Sequence, residues 1–411
     1  MMMVACRECG AIQRIAPLPR RAAAECYRCH AALERTAGRS AGLALALSMA
    51  ALALLIPGNI LPAMRSDLLG SSVEARAIDG VSAFFDDGWP VLASFVAMFV
   101  IVAPILRAAF LVAVLGALGL GYRTLWQGRI FRLAQALRYW SMAEVYLAAG
   151  AVTYSRVAAQ LDIELLPGGW CFIAAVLLLI MAEAALDKRR IWSALLPNPP
   201  LVPDGRVLSC LGCQLIMPIS AEGSRCPRCA RRLSIRRRDS LERTTALTIA
   251  ALILLYPAFF LPMIVTVQPN GVMESTIFGG VRQLFHHGYW YLGLIVFAFS
   301  IVIPGLKLFT LLWLTLSVRY PHRRFLLFRS RLHRFVDSIN HWSFIDPFIV
   351  ALNVAMLSFP GVISASAAAG SLAFSLVIVL TMIASRMFDS RLMWDAVERR
   401  EPARHKGALH A

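Results

Sequence analysis

Eight cysteines stand in four C-x2-C pairs, Cys6/Cys9 with Cys26/Cys29 and Cys210/Cys213 with Cys226/Cys229, a spacing suited to holding metal ions. The first set reads C-x2-C-x16-C-x2-C and the second C-x2-C-x12-C-x2-C. Two knuckles close a tetrahedral thiolate site with no open position for a substrate, so the chemistry is structural rather than catalytic. Zinc, one ion per set and two in all, is favoured because a closed all-Cys site needs no redox partner, although rubredoxin-like iron takes the same ligands. Disulfides are the rival reading, but they belong to oxidising compartments, and these Arg-rich segments are expected to face the cytosol. His30 directly follows Cys29 and is an alternative ligand whose plainer reading is an exposed residue beside a knuckle. Cys171, within an apolar run, reads as a small buried hydrophobe.

A second set of residues stands out because charge inside a membrane is costly. Arg107 and Glu144 lie in apolar stretches of the first half, Lys307 and Asp346 in those of the second. Lys307 is six residues from Trp313, roughly 9 Å along a helix, and Asp346 four from Trp342, roughly 6 Å, so both are expected just inside the cytosolic leaflet, within reach of each other. Arg107 keeps its proton, whereas a Lys can cycle its charge, which makes the second half the better proton relay. Ser343, Asn353 and Ser358 are the polar neighbours of Asp346, and Ser358 replaces the Arg156 of the first half. A helix clamp or simple snorkelling is the alternative role for these charges. His286 and His287 have no Cys or carboxylate close by and make a poor metal site.

The elements that carry these groups are membrane helices. With 58% hydrophobic residues, 16% charged and a mean hydropathy of +0.65, the 411-residue chain is unlike a soluble enzyme. The N-terminus carries knuckles rather than a basic-apolar-small leader, so no cleavable signal peptide is read. Apolar stretches of about 20 residues fall at 41–63, 90–119, 141–160, 169–186, 244–263, 290–318, 342–359 and 369–386, predicting eight spans. The net charge of +17 is placed by topology rather than by nucleic acid. Arg123, Arg129, Arg132 and Arg138 fill one loop and Arg319, Arg323, Arg324, Arg329, Arg331 and Arg334 its counterpart, while Asp67, Glu74, Asp79, Asp86 and Asp87 dominate the loop after the first span. The positive-inside rule puts both termini, both cysteine modules and the Arg-rich loops in the cytosol, and the loops near 64–89 and 264–289 outside. Some of this basic charge can also meet anionic headgroups.

The chain is one unit written twice. Pro57, Pro62, Gly80, Phe85, Gly88 and Pro104 recur as Pro257, Pro262, Gly280, Phe285, Gly288 and Pro304 at an offset of 200, and Trp140, Ser141, Asp187 and Trp192 recur as Trp342, Ser343, Asp389 and Trp394 at 202. The fold class expected is an all-α polytopic membrane protein of two tandem parallel repeats of four transmembrane helices, each preceded by a small four-cysteine module of zinc-ribbon or rubredoxin-like type. Four spans per repeat predict a pseudo-two-fold axis along the membrane normal. The divisions read are 1–36 for the first module, 41–190 for the first repeat, 191–205 for a linker, 206–238 for the second module, 244–390 for the second repeat and 391–411 for a basic cytosolic tail. Pro57 and Pro62, like Pro257 and Pro262, mark a helix exit or a break that frees carbonyls.

The paired modules, the Pro-x4-Pro exits, the motifs Trp140-Ser141-Met142-Ala143-Glu144 and Trp342-Ser343-Phe344-Ile345-Asp346, and Lys307 after Pro304 together resemble the paraquat-inducible protein A family, over nearly the whole chain. The resemblance implies a bacterial inner-membrane partner of a periplasm-spanning MCE-domain protein, moving phospholipid between the two membranes of the envelope. It places the acid on Glu144 and Asp346 and the base on Lys307; Arg107 departs from the Lys pattern and puts a symmetrical mechanism in doubt. Proton coupling is favoured over ATP because no G-x4-G-K-[ST] loop occurs. The chain is not expected to be an enzyme. A zinc-stabilised scaffold and, behind it, a rubredoxin-like membrane redox protein are the alternatives.

Overall fold

The computed structural model describes residues 2–16, 18–19, 22–36, 40–68, 71–157, 162–196, 207–268, 271–286, 288, 290–320, 322, 324–356, 359 and 363–400. The first module holds two hairpins, β1 (Met2–Ala5) with β2 (Ile12–Ile15) and β3 (Ala23–Glu25) with β4 (Ala32–Arg35). The first repeat runs α1 (Ala41–Ile60), β5 (Met64–Leu68), β6 (Ser71–Ala75), α2 (Asp79–Asp86), α3 (Pro90–Val96), α4 (Ala103–Gly119), α5 (Leu125–Leu137), α6 (Ala143–Val157), β7 (Asp162–Leu165), α7 (Pro167–Ala185) and α8 (Lys188–Leu195). The second module pairs β8 (Val207–Ser209) with β9 (Ile216–Pro218). The second repeat follows the same order: α9 (Ser240–Phe260), β10 (Ile264–Gln268), β11 (Gly271–Ser275), α10 (Ile277–His286), α11 (Trp290–Phe297), α12 (Ile303–Arg319), α13 (Leu326–Ile339), α14 (Ile345–Met356), β12 (Ser364–Ala367), α15 (Ala369–Met387) and α16 (Arg391–Arg400).

Among the described residues, six helices are long and apolar enough to cross a bilayer: Ala41–Ile60, Pro90–Gly119, Pro167–Ala185, Ser240–Phe260, Gly293–Arg319 and Ala369–Met387. The eight full-length spans expected from the sequence are corrected accordingly. Those at 141–160 and 342–359 are the shorter helices α6 and α14, of 15 and 12 residues. The reason is enclosure. Both pack in the centre of the molecule, where Tyr146 meets Phe348 edge-on at 5.6 Å, and a helix wrapped in protein need not match the bilayer thickness.

Pro104 sets where α6 begins. The chain between α3 and α4 is π-helical over Ala97–Val102, with the Ala103 N–H reaching back to the Met98 carbonyl. Pro104 has no N–H to continue that ladder. The Phe99 carbonyl instead accepts the Met142 N–H at 3.0 Å, which docks the start of α6 part-way along the span. A π-helical turn over Ala298–Val302 precedes Pro304 in the second repeat as well.

The molecule is not all-helical. Beyond the ends of α1 and α7 lies a three-stranded antiparallel sheet in the order β6-β5-β7, matched by β11-β10-β12 in the second repeat. Each helix exit at the paired prolines runs into its sheet. Helix α1 continues through Pro57 to Ile60, so the exit reading holds, and the Pro62 carbonyl accepts the Gly168 N–H at 3.0 Å. The approach is tight enough to require glycine, since a Cβ on Gly168 would lie 2.3 Å from the Leu61 carbonyl oxygen. Gly370 meets Leu261 in the same way, at 2.5 Å.

At the sheet end the first repeat meets the second through α2 and Trp89. A Cβ on Gly80 would meet Ala351 of α14 at 3.4 Å, and the Trp89 indole donates to the Ala367 carbonyl at 3.0 Å. Gly280 has nothing within 4 Å of its Cβ position.

The opposite end carries the cysteine modules, and they are exchanged. The first module sits on the second repeat, its four cysteines buried with Leu314, Leu326, Phe388, Met393 and Trp394. The second module sits on the first repeat, its cysteines buried with Phe131, Ala134, Ile191 and Trp192. Helix α8 closes the first repeat inside the expected linker, and the expected tail begins as α16, with Met393 and Trp394 buried; residues 401–411 lie outside the described ones. Asp389 pins the exit of the second module, accepting from the Arg237 N–H at 3.2 Å and the Arg391 guanidinium at 2.8 Å. Burial alone would raise its carboxyl, but the bond to Arg391 and the nearby positive charges hold it below the ordinary range.

Helix α5 meets its module backbone to backbone. A Cβ on Gly128 would fall 1.8 Å from the Arg228 carbonyl oxygen. Gly128→Ala is therefore expected to lower stability by about 1–3 kcal/mol and to speed proteolysis within 207–238, read by thermal melt and mass-mapped cleavage. Gly280→Ala, which adds its methyl to open space, should change neither.

Candidate functional site: two thiolate centres and a buried charge network

The four knuckles share one construction. In each, the N–H of the residue after the second cysteine returns to the carbonyl of the first, as in Gly10 to Cys6 at 3.0 Å, His30 to Cys26 at 2.9 Å, Gln214 to Cys210 at 3.0 Å and Ala230 to Cys226 at 2.8 Å. That residue is left-handed in every case, with φ of 76° at Gly10, 54° at His30, 60° at Gln214 and 54° at Ala230. His30 is thus an exposed turn residue, not a ligand. Its plainer reading stands.

All eight cysteines are buried and free. The Sγ atoms of each quartet lie within 4.8 Å of one another, and Cys6 to Cys29, Cys9 to Cys26, Cys210 to Cys229 and Cys213 to Cys226 are each separated by 3.5 Å. A disulfide needs about 2.0 Å, so the separations are not those of disulfides. A tetrahedron with metal–sulfur bonds of about 2.3 Å has edges near 3.8 Å, which fits four thiolates around one ion. Among the described residues these are the two groups of this kind, and neither includes His286. The side chain of His287 lies outside the described residues, and Cys171 is half-buried rather than buried.

Arginines of the neighbouring repeat hold the knuckles by their carbonyls: Arg132 of α5 donates to Cys229 O at 2.8 Å, and its counterpart Arg334 of α13 to Cys29 O at 3.2 Å. Arg189 of α8 pairs with Glu34 of the first module at 2.7 Å, and Arg236 of the second module's exit with Asp395 of α16 at 2.7 Å. Part of the Arg-rich charge is therefore spent on docking.

The intramembrane charges are arranged differently from the sequence expectation. Arg107 is bonded to Glu183 of α7 at 2.5 Å rather than to Glu144, and Glu183 also holds Arg138 at 3.0 Å and Lys188 at 2.8 Å. Glu144 is half-buried in the first turn of α6. In the second repeat the corresponding positions are Lys307, Ser385, Asn340 and Ser390, so one cation remains and the acid is gone. Lys307, 1% exposed, donates to the Asn340 carbonyl at 2.8 Å and to Ser343 Oγ at 2.7 Å, and no carboxylate lies within ion-pairing distance of it among the described residues. Asp346 is buried one turn beyond Ser343, Asn353 is half-buried on the same helix, and Ser358 and the Arg156 side chain lie outside the described residues. Ser385 takes the role of linking to α13, through Asp337 at 3.3 Å. Sequence reasoning missed Glu183 and Asp337. Glu183 was findable as an acid inside the expected span 169–186; Asp337 was hidden in an amphipathic helix.

A duplicated membrane fold with a buried four-cysteine group on each repeat, consistent with metal binding, and an asymmetric buried charge network defines a polytopic membrane protein. Residues 43–195 and 241–398 match the family described as paraquat-inducible protein A, and the chain belongs to that family. It is 29% identical to the intermembrane transport protein PqiA of Escherichia coli K12, over 95% of each chain. It is also 29% identical to the lipophilic envelope-spanning tunnel protein A of the same organism, over 96% of this chain and 91% of that one, and 25% identical to a probable intermembrane transport protein of Haemophilus influenzae, over 96% of each. No solved structure matches.

Cys6→Ser is expected to remove about one metal ion of two and to loosen the first module from α13 and α16 of the second repeat, while Cys210→Ser does the same for the second module on α5. Elemental analysis with protease mapping reads both; loss of both ions from either single variant would contradict independent sites. Glu183→Gln leaves Arg107 buried without its acid and should cost on the order of 3 kcal/mol, seen as a lower melting temperature in detergent.

Proposed function

We propose that this chain is the inner-membrane subunit of a lipid transport system that works with a periplasm-spanning MCE-domain protein. The observation that carries the reading is Lys307: a fully buried amine on a membrane span, bonded to neutral oxygens, with Ser343 and Asp346 on the adjoining short helix. A buried group of that kind is functional by default. The names of the relatives, intermembrane transport protein and lipophilic envelope-spanning tunnel protein, support transport between membranes as its setting.

In this reading both cysteine modules and both termini are cytosolic and the two sheets are periplasmic, following the Arg excess at the module end and the acids at the other. The metal is zinc, which supplies folding free energy to modules too small to hold a core of their own. The Arg107–Glu183 network is the fixed half, because Arg does not release its proton. Lys307 with Asp346 is the switching half, and proton movement biases it between two packings at about 2.3 kcal/mol per charge per 100 mV.

Lys307→Ala and Asp346→Asn are then expected to abolish envelope barrier function in a complementation assay while the protein still inserts, binds metal and co-purifies with its partner. Arg107→Lys should be mild. Full complementation by Asp346→Asn would reduce the molecule to a scaffold.

A further inference from the structure

A cavity of about 240 Å³ opens at the sheet end of the first repeat, between α6, α1, α7 and the β6-β5-β7 sheet. At about 30 Å³ per small group, that volume corresponds to roughly eight such groups, room for part of one acyl chain. Its wall is apolar, formed by Tyr146, Gly150, Phe172, Leu352 and Met356 among others, while Arg76 and Tyr154 stand at the exposed mouth. The Arg76 guanidinium makes no ion pair among the described residues, although its backbone N–H donates to Asp79 at 2.7 Å.

The internal repeat supplies an independent control. Positions lined by small residues in the first half carry larger ones in the second: Gly58 corresponds to Ala258, Ala63 to Met263 and Ala77 to Ile277, while Leu352, the counterpart of Gly150, reaches from α14 into the wall of the first-half cavity itself. Met263 and Ile277 are 6% and 7% exposed, buried in the core of their half. Arg76 corresponds to Thr276, so the cation disappears together with the space. A packing defect would be expected in either half, whereas here room and charge are kept together on one side.

We propose that this cavity seats one acyl chain of an anionic phospholipid, with the phosphate of the headgroup at Arg76. The assignment rests on the lipid-transport reading for the class of ligand, and on the apolar wall and the unpaired cation at its mouth for the place. The second acyl chain stays in the bilayer.

The test uses the full chain in phosphatidylcholine vesicles with a phosphatidylglycerol probe that carries a diazirine at the tip of one acyl chain, and maps adducts by mass spectrometry. Adducts are expected on α6 between Tyr146 and Tyr154 and not on the corresponding stretch of α14. Gly150→Leu, which places at that position the residue the second half already carries, should lower them about tenfold. Its Cβ would meet Met64 and Leu352 at ordinary distances of 3.8 and 3.9 Å. Ala63→Met fills the space from another wall and guards against misfolding of one variant, with metal content and melting temperature as fold checks. Arg76→Thr should bring the phosphatidylglycerol yield down to that of a phosphatidylcholine probe. Adducts no denser on α6 than on lipid-facing helices, or unchanged in both filling variants, would overturn the site. Equal yields for the two headgroups in the unaltered protein would overturn the role of Arg76. Labelling that behaves as expected while Lys307→Ala complements fully would sink the transport reading and leave the site standing.

Discussion

In hydrocarbon a backbone carbonyl without a donor is expensive, and Pro104 leaves one at Phe99. The Met142 N–H fills it, and much of the architecture depends on that bond. Because α6 starts part-way along a neighbouring span, it can be short, central and wrapped by protein on most sides. Around α6 and α14 the aromatic side chains Phe99, Tyr146, Phe344 and Phe348 form one continuous contact. The long helices then have a protein surface to lie against, and the polar groups of Ser343 and Lys307 can sit inside it away from lipid.

The exchange of the modules ties the two repeats together at the other end. Each thiolate centre is too small to bury its own cysteines, so it borrows apolar surface from a repeat: the first module from the second repeat, the second module from the repeat that precedes it. The ion pairs Arg189 to Glu34 and Arg236 to Asp395 run between each module and a short helix closing a repeat. A change in the angle between the halves must therefore be felt at both four-cysteine groups.

The two copies of one scaffold differ in their buried charges and in their packing. The first keeps a multivalent salt bridge at Glu183 and an open cavity under its sheet; the second keeps a single amine among neutral oxygens and carries the larger Met263 and Ile277 at the corresponding positions. One half holds a paired cation and a cavity, the other a buried amine among neutral oxygens and closer packing.

Sequence alone determined the parts whose physics is local or additive. The cysteine spacing specified two thiolate sites because a knuckle is built within a few residues, and the apolar lengths and Arg placement specified membrane helices and their ends because burial in lipid acts residue by residue. The repeat offset did the same for the order of elements. Tertiary structure decided everything that depends on which surfaces meet: that Arg107 finds Glu183 and Lys307 finds Asn340 and Ser343, that each module docks on the repeat it does, that α6 and α14 can be shorter than a lipid-facing span, and that small sheets close the helix pairs. Those outcomes turn on contacts between residues tens or hundreds of positions apart, where a carbonyl freed at Phe99 or a missing Cβ at Gly128 selects the partner, and no periodicity along the chain records the choice.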